Sequence, residues 1–119
     1  MDQDIHFQKS AAFASGALTT YMEVPYDCTL RACSGLVQAD PGDDETVTVT
    51  TEPTVGGTGI ALGVLTFGND IAAGAIGTWA ANATTGATKI SAGAFLKFVT
   101  SAAAAAVLDL DIELDPYAR

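Results

Sequence analysis

Few residues in this chain could do covalent chemistry, and their spacing decides which chemistry is open. His6 is the only histidine. Serine–histidine and cysteine–histidine nucleophile systems both need it, together with an orienting carboxylate. It stands near the N-terminus, in a stretch without a regular pattern where water would not be excluded, and it reads as a surface or interface histidine. Asp109, Asp111 and Glu113 alternate with apolar residues. On a strand they share one face, with successive members about 7 Å apart. Glycosidase chemistry needs two carboxylates flanking a cleft, one with a raised pKa. A row on an exposed strand face is instead a solvated surface, and it discourages edge-to-edge aggregation.

Cys28 and Cys33 are the two cysteines. On a regular strand their odd separation puts the thiols on opposite faces, with Cα atoms about 16 Å apart, too far for a disulfide. They lack metal-ligand spacing, and His6 is distant in sequence. Two free, buried thiols are expected, as suits assembly in a reducing cytosol. The acidic loop Asp40-Pro41-Gly42-Asp43-Asp44-Glu45 has oxygens for calcium. It departs from the Asp-x-Asp-x-Asp-Gly loop and reads as a polar hairpin tip. Gly56-Gly57-Thr58-Gly59 matches no phosphate-cradling motif. Trp79 is expected in the core rather than as a stacking platform. The sequence therefore predicts no enzyme, no cofactor and no metal.

The residues around these candidates must position them, and they form strands. Val107 to Leu114 alternates strictly, with Leu108, Leu110, Ile112 and Leu114 on one face and the acids on the other. Residues 94–100 favour strand, and 101–105 read as a turn pairing that strand with the last one. Further strands are expected over Thr19–Pro25, Cys28–Ala39, Glu45–Thr51, Gly59–Phe67 and Gly77–Ala81, separated by Gly, Pro, Asn and Asp. Short strands at such intervals make a β-sandwich or a barrel. At 119 residues the chain is one domain. Residues 1–16 are read as an N-terminal arm and 17–119 as the β-sandwich domain.

Five Lys and Arg stand against fourteen Asp and Glu, a net charge of −9. Phosphate backbones and anionic membrane surfaces repel such a chain, so neither nucleic acid nor membrane is an expected partner. The acidity confers solubility or complements a basic protein surface. The N-terminus has no apolar signal region and no run of eighteen apolar residues occurs, so the product is expected to be made in the cytoplasm and kept there or released by lysis. Almost half of the residues are apolar, with Ala and Gly making up much of the excess, which points to surface buried between chains.

The segment Glu23 to Val37, beginning Glu23-Val24-Pro25-Tyr26-Asp27-Cys28-Thr29-Leu30, resembles the opening of small β-sandwich proteins of tailed bacteriophages. Ala92 to Val99, a small-residue turn, and Ala106 to Leu114 resemble their last hairpin. The resemblance implies an all-β, jelly-roll-like sandwich of about eight strands. It also implies a virion protein that decorates or cements the capsid or forms a spike base, with no catalytic residue to carry over. The expected partners are the major capsid protein and further copies of the chain, with a homotrimer as the guessed symmetry. Ile5, Phe7, Phe13, Tyr117 and Arg119 are the candidate interface residues. A carbohydrate- or receptor-binding module of a spike or fibre is the alternative.

Overall fold

The computed structural model describes residues 5–13, 18–37, 45–67, 76–101 and 106–116; the side chains of Ile5, residues 10–13, Val37 and residues 106–108 fall outside that description. Nine strands follow one another: β1 (Ile5–Phe13), β2 (Leu18–Glu23), β3 (Cys28–Val37), β4 (Glu45–Glu52), β5 (Ile60–Phe67), β6 (Thr78–Ala81), β7 (Lys89–Ile90), β8 (Phe95–Thr100) and β9 (Ala106–Pro116). No helix occurs among the described residues.

Antiparallel pairing is nested. β1 pairs with β9, β2 with β8, β3 with β7, and β4 with β5. The chain is thus one long ribbon doubled back at its middle. Successive rungs of the ribbon fall alternately into two sheets, ordered β1-β9-β3-β7 and β2-β8-β4-β5-β6. This is the winding of a jelly roll, and it makes a β-sandwich. At one corner the ribbon stays paired as it changes sheet. Val24 N donates to Ala94 O and Gly93 N to Val24 O, both at 2.8 Å. Gly93 has φ +88° there, a conformation that a residue without Cβ adopts at little cost.

Alternation decides what each strand buries. Val47 and Val49 of β4, Leu96 and Phe98 of β8, and Leu110, Ile112 and Leu114 of β9 are all fully buried in one core with Leu62, Leu65 and Phe67. Asp109, Asp111 and Glu113 are half-exposed on the outer side of β9. Trp79, on the edge strand β6, packs partly buried against this core. It lies so close over Gly63 that a Cβ there would come 2.5 Å from the indole.

Three expectations from the sequence are corrected. First, β8 and β9 do not form a hairpin, because β8 pairs with β2 and β4 while β9 pairs with β1 and β3. The connection from Ser101 crosses between sheets, and Leu96 and Phe98 meet the core from the sheet opposite β9; residues 102–105 lie outside the described residues. Second, Cys28 and Cys33 do not lie on opposite faces of β3: both are free and buried, as expected, but both belong to the one core. Leu30 pairs with Leu114 and Ala32 with Glu113, so Arg31 is an extra, bulged residue. The bulge restores the inward phase across an odd spacing. Third, the segment read as an arm supplies β1, which pairs with β9 of its own chain over nine residues, from Ile5↔Leu114 to Phe13↔Ala106.

Two outcomes follow. Leu110→Ala should cost about 2–5 kcal/mol, as at other buried leucines, read from urea denaturation; a cost below about 1 kcal/mol would contradict full burial. Deleting residues 2–13 strips β9 of one neighbour and should abolish cooperative unfolding in circular dichroism melts, whereas an unchanged melt would show β1 to be dispensable.

Candidate functional site

The outer face of the four-stranded sheet is built on β9. Its outward residues are Asp109, Asp111, Glu113 and Asp115, and register sets the residues beside them. His6 lies opposite Glu113, Gln8 and Ser34 flank Asp111, and Thr29 lies opposite Asp115. His6 Nδ1 is 3.2 Å from Asp111 Oδ2, and its Nε2 is 3.8 Å from Glu113 Oε1. Arg31, turned outward by the bulge, places Nε 3.3 Å from Glu113 Oε2. Both ring nitrogens of His6 therefore face carboxylates, and the thiols lie on the opposite, inward side of the sheet. The arrangement is an open charge lattice in which each exposed pair contributes under about 1 kcal/mol. It leaves the carboxylates of β9 half-exposed on the outer surface.

The outer face of the five-stranded sheet has a different chemistry. Register sets out a central row of Thr19, Val99, Thr48, Val64 and Ala80, one from each strand. Thr46, Thr66 and Thr78 form a second row beside it. On the other side Tyr21 and Phe95 meet edge to face, with ring centroids 6.3 Å apart and planes at 88°. Lys97 stands between them and Thr50, its Nζ 3.4 Å from Glu52 Oε2. Glu52 is buried, and its other oxygen accepts a 3.0 Å hydrogen bond from Gly56 N. The charges that the described residues bring to this face are thus one internal ion pair and Glu23 on the edge strand.

Concavities are shallow. A groove of about 360 Å³ between β3 and the turn after β6 is lined by Thr29, Arg31, Asn82, Thr84 and Asp115 among others, with no aromatic ring. Asp115 Oδ1 is buried there without a hydrogen-bond partner. A second groove of about 240 Å³ lies beside Leu36 and Ile76, both exposed, and is flanked by Asp109 and Asp111. No group of three or more His, Cys, Asp and Glu residues that could hold a metal occurs among the described residues. Of the loop read as a possible calcium ligand, residues 40–44 lie outside the described residues; Glu45 is buried and accepts a hydrogen bond from Ser101 Oγ.

The candidate interface residues divide. Phe7 is half-buried and packs on the core, with its ring 6.3 Å from that of Tyr26. Ile5 and Phe13 hold register positions at the two ends of β1, with their side chains outside the description. Tyr117 and Arg119 lie outside the described residues. Of these five, Phe7 is the one whose side chain is among the described residues. The threonine and valine face was missed, although its signal is present: the alternation that turns Val47 and Val49 inward turns Thr46, Thr48 and Thr50 outward. No protein-family model matches the chain, and no curated protein matches it.

The buried thiols give a pH test. Burial, reinforced by Asp27 and Asp115, raises the Cys28 thiol from 9.0 to about 11. Burial and then Asp111 raise that of Cys33 to about 12. The folded state therefore keeps protons that the unfolded state loses, and stability should fall as pH rises from about 9 toward these values. A Cys28→Ala, Cys33→Ala double variant should lose stability less steeply over that window in urea titrations. Equal slopes would contradict the assignment. In thiol titration the native protein should be slow to react at neutral pH, and the denatured, unreduced protein should count two thiols per chain.

Proposed function

We propose that this chain is a non-enzymatic virion structural protein, a decoration or cement subunit of a tailed-phage capsid. The observation that supports this reading is the segregation of charge between the two outer faces. A subunit that cements a shell must meet more than one surface, and this sandwich offers two broad faces of unlike chemistry on one rigid core. The acidic row Asp109, Asp111 and Glu113 fits a basic protein surface, and charge complementarity of this kind governs association rate and choice of partner. Lys9 supports the same reading. It takes the register position opposite buried Leu110 on the edge strand β1, and a charge at an inward position of an edge strand hinders open-ended strand addition. Assembly then proceeds through faces rather than edges.

Co-sedimentation with undecorated capsids tests the reading. The protein should pellet with the shells at low ionic strength and be released progressively by salt, as screening shortens the reach of the acidic face. Asp109→Asn, Asp111→Asn and Glu113→Gln combined should weaken attachment. If the protein stays in the supernatant at every concentration and is monomeric, the reading fails. A soluble carbohydrate- or receptor-binding module is then the better account, with the groove of Thr29, Arg31, Asn82, Thr84 and Asp115 as its place to look.

A further inference from the structure

We propose that two copies of this chain pair through the outer faces of their five-stranded sheets, stacked about a two-fold axis. The proposal rests on the structural-subunit reading and names the occupant of the face that the acidic row does not use.

Charge selects the occupant. Two copies each carry −9, so they repel unless they meet where charge is absent or already neutralised. Among the described residues, the face with the row Thr19, Val99, Thr48, Val64 and Ala80 meets that condition, because Lys97 is held by Glu52 and Glu23 sits at the margin. Stacking these faces turns both acidic sheets outward. Four sheets at about 10 Å spacing put the acidic faces about 30 Å apart, well beyond the screening length of about 8 Å at physiological salt. The repulsion that forbids other pairings is thereby lost.

Area and side-chain chemistry agree. Five strands about 4.8 Å apart and averaging about six residues make a patch of about 24 by 20 Å, so stacking two buries about 1,000 Å² in total, the lower bound for a specific interface. Threonine and valine have few rotamers to lose, which lowers the ordering cost of association. The Tyr21–Phe95 pair at one side of the patch supplies aromatic anchors of the kind enriched in interface centres. A flat face that packs on its own copy is isologous and closes at two; the three-fold arrangement guessed from the sequence requires two different surfaces instead.

Sedimentation velocity of the protein alone is the test. From micromolar to millimolar concentration the mass should rise from 12.1 kDa toward twice that value. Thr48 lies half-exposed at the centre of the patch, so Thr48→Glu should fold, as checked by circular dichroism, and should weaken pairing at least about tenfold by setting like charges across the axis. Thr66→Glu, at an exposed position on the next strand, makes the same test if Thr48→Glu melts early. Asp111→Asn on the acidic face should leave the pair intact. A constant mass of one chain, or an assembly that both glutamate variants leave unchanged, overturns the proposal. Capsid attachment is measured separately, so a failure of the decoration reading and a failure of this pairing are told apart.

Discussion

Everything in this fold depends on β9 being paired on both sides. β1 and β3 flank it in register, and its alternation delivers Leu110, Ile112 and Leu114 to the core while Asp111 and Glu113 face out. A slip of one residue would bury the acids and expose the leucines, at a cost of several kcal/mol for each buried unpaired charge. That penalty fixes the register of the sheet. It also fixes where His6 and Arg31 fall, because register sets His6 opposite Glu113 and the bulge puts Arg31 beside it. The acidic face is thus a by-product of the same alternation that builds the core.

The sequence carried the parts of this fold that are local. β4 and β9 were legible because their period of two is unbroken, and the Gly, Pro and Asn clusters marked the turns between them. β1 was not, because Lys9 occupies the position opposite Leu110 and interrupts the apolar period that would have identified a strand. β7 is two residues long, too short to show any period. The bulge at Arg31 has no local signature, so the two cysteines were assigned to opposite faces. The error over β8 and β9 has another origin. Their short connection suits a hairpin, but which sheet a strand joins depends on the whole nested ribbon, and no window of ten residues contains that information.

The candidate site was only half legible. The acidic row could be read directly as a solvated face. Its counterpart was overlooked because threonine in a strand attracts attention only once its neighbours across the sheet are known. Val99, Thr48 and Val64 are far apart in sequence, and pairing alone brings them into one row. The composition points to surface buried between chains, and the proposed pairing would cover the charge-poor face and leave the acidic face open. The sandwich core between the two keeps them at a fixed distance and orientation, as the proposed connecting role would require.

The two faces are proposed to have separate partners. Electron cryomicroscopy of capsids incubated with the protein examines this directly. Density for the sandwich is expected on the shell with its four-stranded sheet, carrying Asp109, Asp111 and Glu113, turned toward the capsid surface. A sandwich bound through its five-stranded sheet, or shells that carry no added density at saturating protein, would contradict it.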